Sequence, residues 1–214
     1  MILCREDILR KREDGHIVIE PFEEGLVGIN SVDVRLGADL FRLRNDGFRD
    51  LYSDRPEQWE KVETVPAGRI RERHPSFVAP TLHDDDPCFI LDSGGFYLAT
   101  TLEAIGARAL EGGAEDGQAI VPEMKARSTV GRQGLTVALC AGLGDVGYVS
   151  RWALEVRVVD CGAVAVAVGT PIAQVVFHYA TPTHAAYDGA SRYQHAGAVR
   201  FLPKPLKPWR PAST

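Results

Sequence analysis

The side chains best suited to chemistry are concentrated between residues 125 and 155. Arg127 and Arg132 enclose the hydroxyl side chains of Ser128 and Thr129, with a glycine before the second arginine. Guanidinium groups match pairs of phosphate oxygens, hydroxyls donate further hydrogen bonds, and glycine lets backbone N–H groups approach an anion. The pattern fits a phosphate site. Taken alone, it also fits a polar turn with solvated arginines, and both interpretations stay open.

A carboxylate follows in a segment with the period of a β-strand. In residues 152–158, WALEVRV, the large apolar side chains alternate with smaller or charged ones, which places Glu155 on the face opposite Trp152 and Leu154. A carboxylate beside a bound base could take a proton from water and return protons to the leaving group. Burial would raise its pKa toward neutrality and suit it to this task. The alternative is a solvated Glu–Arg pair on an edge strand.

The order of these pieces resembles the central motif of the dCTP deaminase branch of the trimeric dUTPase-like superfamily. That branch reads G-R-S-S-x-x-R-x-G-L, then T-A-x-x-I-D-P-G-F/Y, then x-L-E-L. The corresponding segments here are residues 126–135, 140–148 and 154–156, in the same order and spacing. Residues 1–8, 19–22 and 31–37 are similar to the family's opening, M-x-L-x-D-x-x-I, I-x-P-F and S-x-D-x-R-L-G. Two further segments match F-Y-L-A-x-T-x-E and I-x-Q-x-x-F, at 96–103 and 172–177.

The resemblance implies a mainly β fold, a dUTPase-like distorted jelly-roll or β-barrel with a few short helices. Many short apolar stretches separated by Gly and Pro agree with that class. We expect one domain over residues 1–202 with an irregular insertion at about 44–88, and a Pro-rich tail over 203–214. The patterns predict a helix at 5–14 and strands at 16–19, 31–36 (ended by Gly37), 89–91, 96–100, 119–121, 135–139, 152–159, 163–168 and 172–179.

The resemblance also implies a role for each motif residue. Glu155 would be the general base and acid, Ser128 and the carbonyl of Ala141 would hold the attacking water, and Arg132 would support the glutamate. For the substrate, Arg127 and Thr129 would contact phosphates, Asp145 would accept the deoxyribose 3′-hydroxyl, and Tyr148 would pack near the sugar. Further substrate contacts are expected from Ala153, Gln174, Tyr187, Arg192 and Gln194.

Several other classes of protein are disfavoured by the sequence. It contains neither H-x-E nor P-C-x-x-C, so the zinc deaminase signature is absent, and we expect Mg²⁺ to arrive with the triphosphate rather than on protein ligands. The four cysteines are far apart, which favours reduced thiols. A formal net charge of -5 argues against general nucleic-acid binding. No apolar run is long enough for a membrane span, and the charged N-terminus leads us to expect a cytoplasmic protein.

The leading hypothesis is hydrolytic deamination of dCTP to dUTP and ammonia, in a homotrimer with sites between subunits, as the family implies. A bifunctional enzyme giving dUMP and pyrophosphate keeps the same motifs, and a dUTPase without deaminase activity is a third option. Ala138 and Leu143 stand where the family commonly has a histidine and a basic residue. These two differences motivate a nucleotide-binding sensor without turnover. A purely structural jelly-roll protein would leave the register of the motifs unexplained.

Overall fold

The computed structural model describes residues 1–45, 47, 49–109, 118–139, 142–159, 162–181 and 202–207. These residues form three α-helices: α1 (Arg5–Glu13), α2 (Ala67–Arg73) and α3 (Ser128–Arg132). Short 3-10 turns cover Glu24–Leu26 and Pro56–Gln58. The strands are β1 (Ile17–Glu20), β2 (Val32–Leu43), β3 (Trp59–Lys61), β4 (Val65–Pro66), β5 (Pro87–Leu91), β6 (Phe96–Ala107), β7 (Ala119–Ala126), β8 (Leu135–Val137), β9 (Val149–Val158), β10 (Val164–Ala167) and β11 (Pro171–Ala180).

Eight of these strands form one antiparallel sheet. Its path runs β7-β11-β2-β6-β9-β8, with β1 added to β6 and β3 added to β2. The two ends of this path, β7 and β8, approach each other beside α3, which makes the sheet barrel-like. A smaller sheet has the order β10-β5-β4. The predicted mainly β, dUTPase-like class with a few short helices is therefore confirmed.

The core lies on the inner face of the large sheet. In β9 the predicted alternation is observed, since Trp152, Leu154, Val156 and Val158 are all buried. Across the sheet, Phe177 is fully buried in the same cluster. Removing each such side chain from water contributes about 1.5–3 kcal/mol, so this stripe fixes which face of β9 points inward.

The predicted end of β2 at Gly37 was wrong, because the strand continues to Leu43. A Cβ at Gly37 would lie 2.7 Å from the Thr100 hydroxyl oxygen and 2.9 Å from the Thr100 carbonyl oxygen. The register between β2 and β6 shifts at this point, between Leu36 and Leu40. The glycine therefore permits a close crossing of two strands and does not end one of them.

The stretch 44–88 contributes more regular structure than its composition predicted. It contains β3, β4 and α2, and Ile70 and Cys88 belong to a second, smaller apolar cluster. From the tail, the Leu206 N–H donates to the carbonyl of Leu51 at 2.8 Å. The division into a domain at 1–202, an insertion and a tail stays a prediction.

Two of the four cysteines are described. Cys4 is exposed and Cys88 is buried, and both are free thiols; Cys140 and Cys161 lie outside the described residues. Within the described part of the chain, no helix is long and apolar enough to cross a membrane.

Candidate active site

Arg127 is held where β7 ends and α3 begins. Its Nη1 donates to the carbonyl oxygen of Pro171 at 3.0 Å, and its Nη2 lies 3.0 Å from Oδ2 of Asp33. Burial raises the pKa of the Asp33 carboxyl above its usual value, and the positive charge of Arg127 opposes that shift. The predicted phosphate ligand is thus already oriented by two groups from β2 and β11.

Gln174 lies beside this arginine. Its Oε1 accepts a hydrogen bond from the Ser31 hydroxyl at 3.1 Å, and its Nε2 donates to the carbonyl of Ala126 at 3.4 Å. The amide therefore connects the residue before Arg127 to the chain that enters β2. The structure thus places Gln174 next to the residue that precedes Arg127.

The remaining polar residues of the central motif form α3, a single helical turn that the sequence analysis described only as a polar cluster. Ser128, Thr129 and Arg132 are all exposed on it. Ser128 and Arg132 are four residues apart, so they share one face. In the described ranges, Arg132 has no ion pair, and its guanidinium remains available for an anion or a carboxylate from outside the chain.

Glu155 lies on β9, on the face opposite the apolar stripe, which confirms its predicted orientation. It pairs across the sheet with Leu98, and its carbonyl accepts from the Ala138 N–H at 3.0 Å. The carboxylate oxygen Oε2 is buried and has no hydrogen-bond partner within the described part of the chain. A buried carboxylate oxygen without a donor costs free energy, so Glu155 is a strong candidate for a group that acts on a ligand.

The strand before this carboxylate is shorter than predicted. β8 ends at Val137, although a strand over 135–139 was expected. Ala138 has a φ of 54°, a left-handed conformation that a β-strand does not accommodate. The chain therefore turns away from the sheet directly beside Glu155.

The turn after β8 is hydrogen-bonded to β7. The Met124 N–H donates to the Gly142 carbonyl at 2.6 Å, and the Gly144 N–H donates to the Pro122 carbonyl at 2.9 Å. A Cβ at Gly144 would lie 2.8 Å from the Trp152 ring. The turn thus rests directly on the indole, and this close approach requires glycine.

The turn presents Asp145 and Tyr148. Asp145 is exposed, and its carbonyl accepts from the Tyr148 N–H at 3.0 Å. The Tyr148 ring meets Trp152 edge to face, with centroids 4.9 Å apart at 81°. The indole Nε1 in turn donates to the Ile105 carbonyl at 2.9 Å. The Trp152 indole, held by this hydrogen bond, therefore supports the predicted sugar-binding residues Asp145 and Tyr148.

The other predicted residues divide into two groups. Ala153 is half-buried on β9, two positions before Glu155 and on the same face, and it pairs with Thr100. Four residues lie outside the described part of the chain: Ala141, Tyr187, Arg192 and Gln194. Among the described residues, no group of three or more His, Cys, Asp or Glu side chains is arranged to hold a metal ion.

Asp33 and Ser31 were not among the site residues predicted from the sequence. Both belong to the S-x-D-x-R-L-G segment, which contributed only to the fold prediction. The signal that could have found them is the period of two in residues 31–35, which places Ser31, Asp33 and Arg35 on one face of the chain.

Comparisons with known proteins identify the family. The profile of the dCTP deaminase-like family matches residues 2–180. The chain belongs to this family. A protein from Leptospira biflexa named "dCTP deaminase, dUMP-forming" is 32% identical over 178 residues, which cover 83% of this chain and 82% of the relative. A protein from Haloarcula marismortui named "dCTP deaminase" is 29% identical over 199 residues, covering 91% and 90%.

A solved structure supports the fold. The crystal structure of 2'-deoxycytidine 5'-triphosphate deaminase from Agrobacterium tumefaciens has a TM-score of 0.54 at 18% identity. The similarity covers 84% of this chain and 48% of that one, so this chain spans about half the length of the solved protein. At this identity, the similarity concerns the fold alone.

Proposed function

We propose that this protein catalyses the hydrolytic deamination of dCTP to dUTP and ammonia, with Glu155 as general base and acid. The observation that carries the proposal is the Glu155 carboxylate, which faces away from the core and has a buried oxygen without a partner in the described part of the chain. Membership of the dCTP deaminase-like family supplies the reaction class. The two named relatives support cytosine deamination rather than another use of the same fold.

Glu155 acts first as a base and then as an acid. Its carboxylate removes a proton from water as the water oxygen forms a bond to C4 of the cytosine ring. The protonated carboxyl group then delivers that proton to N3. The carboxylate next takes the proton of the new C4 hydroxyl and passes it to the amino nitrogen, so that the C4–N bond breaks, ammonia leaves and C4 becomes a carbonyl carbon. In this proposal Ser128 and the carbonyl of Ala141 hold the water, and no metal-bound water takes part.

Substrate binding is assigned to the other residues of the motifs. Arg127 and Thr129 would contact the triphosphate, Asp145 would accept the 3′-hydroxyl, and Tyr148 would lie against the sugar. Mg²⁺ would bind between phosphate oxygens of the nucleotide, where hard oxygen ligands are plentiful. The fixed positions of Arg127 and Tyr148 support this arrangement, because little side-chain entropy would be lost when the nucleotide binds.

We further propose that the working form is a homotrimer with the site between subunits. Two groups within the described ranges call for partners from outside one chain: the buried Oε2 of Glu155 and the exposed guanidinium of Arg132. An arginine from a second copy could pair with the glutamate and share its hydrogen bonds. The expected cytoplasmic location stays a prediction.

A bifunctional enzyme that continues to dUMP and pyrophosphate is the second candidate. It is favoured by the name of the Leptospira biflexa relative, which ends in "dUMP-forming". The Haloarcula marismortui relative lacks that addition to its name. The two activities share the motif residues named above, so they are separated by products and not by residue types.

The test follows ammonia and pyrophosphate together from dCTP with Mg²⁺. Glu155→Gln keeps the size of the side chain and removes its basicity, and we expect it to lower ammonia release by at least about 100-fold. The matched control is Glu6→Gln, the same change at an exposed position of α1, and it should retain full activity. Pyrophosphate formed with ammonia would identify the bifunctional form. No ammonia from folded protein, or full activity in Glu155→Gln, would refute the proposal.

A further inference from the structure

Asp33 and Arg35 form the centre of a row of alternating charges. They are two residues apart on β2, so their side chains share one face. Asp33 pairs with Arg127 at 3.0 Å, and Arg35 pairs with Glu103 at 2.5 Å. The same strand thus carries a carboxylate that holds the site arginine and an arginine that holds a carboxylate from β6.

The inner end of this row is buried and hydrogen-bonded. Glu103 is fully buried and accepts hydrogen bonds from both the Arg35 side chain and the Arg35 N–H, the latter at 2.8 Å. Pro171, whose carbonyl accepts from Arg127, lies opposite Arg35 in the pairing of β11 with β2. The guanidinium of Arg127 is therefore attached to a part of the sheet that cannot shift without disturbing a buried ion pair.

From this arrangement we propose that Asp33 is a positioning residue that orients Arg127 for the triphosphate, an inference that rests on the proposed function. An arginine has five N–H groups, and the contacts of Arg127 with Pro171 and Asp33 leave others for phosphate oxygens. A free arginine side chain loses rotamer entropy on being fixed, and Asp33 removes much of that loss before the nucleotide arrives.

Asp33 also has a second effect, which weakens nucleotide binding. Its negative charge lowers the positive potential that attracts the phosphates, so a carboxylate that acted only as a counter-ion would weaken binding. Both groups are partly hydrated, with 33% of the Arg127 side chain and 26% of the Asp33 side chain exposed, and water screens this longer-range repulsion. The direct contact is screened less, so we expect the positioning effect to exceed the repulsion.

The experiment is a double-mutant cycle on the steady-state kinetics with dCTP and Mg²⁺. We expect Asp33→Asn to raise KM by about tenfold while kcat changes by less than about threefold, because the chemistry at Glu155 is untouched. In an Arg127→Gln background, the same Asp33→Asn change should alter KM by less than about twofold, because Asp33 acts through Arg127. Asp39→Asn, the same substitution further along β2, is the matched control and should leave both constants unchanged.

Each other outcome overturns the proposal. A KM that falls in Asp33→Asn would identify a counter-ion whose repulsion dominates, and an unchanged KM would remove any role. An equal rise of KM in the Arg127→Gln background would assign the effect to the fold or to another group. Should Asp33→Asn not fold, Asp33→Ser replaces it throughout the cycle.

Failure of the proposed function is distinguished by a second readout. The same proteins are titrated calorimetrically with dCTP and Mg²⁺, which requires binding but no turnover. If the wild-type protein releases no ammonia yet binds dCTP, the reaction assignment fails while the cycle still measures the coupling of Asp33 to Arg127. A coupling of less than about twofold in the dissociation constants would then overturn the role of Asp33 by itself.

Discussion

The Arg35–Glu103 pair offers the sharpest test of the packing described above. Glu103→Gln keeps the volume of the side chain, but it replaces one accepting oxygen by an NH₂ group that faces an N–H donor. Both carboxylate oxygens of Glu103 accept from Arg35, at 2.5 and 2.8 Å, and the residue is fully buried. The substitution therefore removes a charge-assisted hydrogen bond and leaves the Arg35 charge unpaired.

The magnitude follows from these contacts. Removing one partner of a buried ion pair typically costs about 3–5 kcal/mol. Arg35 keeps 21% of its side chain exposed, so water can hydrate part of its charge and the cost falls toward the lower end. We expect Glu103→Gln to lower the free energy of unfolding by about 3 kcal/mol, a large part of a typical total of about 5–15 kcal/mol.

Urea unfolding followed by tryptophan fluorescence measures this change. One protein concentration must be used throughout, because association of subunits would shift the apparent stability. Glu63→Gln is the control, since its ion pair with Lys61 spans 4.0 Å and its side chain is 81% exposed; we expect a change within about 0.5 kcal/mol. A loss of less than about 1 kcal/mol in Glu103→Gln would refute the account of this pair.

Three further predictions concern the stability of the turn after β8, of β9 and of β7. Gly144→Ala should cost about 1–3 kcal/mol in thermal unfolding, because its Cβ would lie 2.8 Å from the Trp152 ring, and an unchanged melting temperature would contradict this contact. Trp152→Phe should cost about 2–3 kcal/mol in urea unfolding, because it leaves the buried carbonyl of Ile105 without its donor; a cost below about 1 kcal/mol would argue against that hydrogen bond. The hydrogen bond from Lys125 lowers the pKa of the Glu123 carboxyl below its usual 4.5. The ionised Glu123 therefore stabilises the folded protein fully above pH 4.5, and this contribution is lost as the pH falls through the lowered pKa. Glu123→Gln should therefore cost about 0.5 kcal/mol at pH 7, and this difference should disappear in acid; a constant difference at all pH values would contradict the assignment.

Much of β9 and of the central motif could be predicted because their signals are local. A period of two in residues 152–158 places Glu155 opposite a buried stripe regardless of the neighbouring strands, and the structure confirms that orientation. The ends of elements were less predictable. Gly37 was expected to end a strand, yet it permits a close crossing with Thr100, a residue remote in the chain. A glycine read from sequence alone does not reveal which backbone approaches it.

The polar network around Arg127 could not be predicted for a related reason. Asp33 lies in the opening third of the chain, and Pro171 lies near the end of the described residues. They meet at Arg127 because β11 lies between β7 and β2 in the sheet, an order unrelated to position in the chain. No local pattern specifies which of several arginines a given aspartate will pair with.

The sequence by itself carried the motifs that resemble those of the family, and it determined the face on which Glu155 lies and the residue types available to bind a nucleotide. These features depend on residue types and spacing over a few residues. Only the tertiary structure decided that Asp33 holds Arg127, that Trp152 supports the Asp145–Tyr148 turn, and that an oxygen of Glu155 is buried without a partner in the described chain. Those features depend on strand order and on close packing between distant segments, where a shift of a few tenths of an ångström changes which groups are in contact.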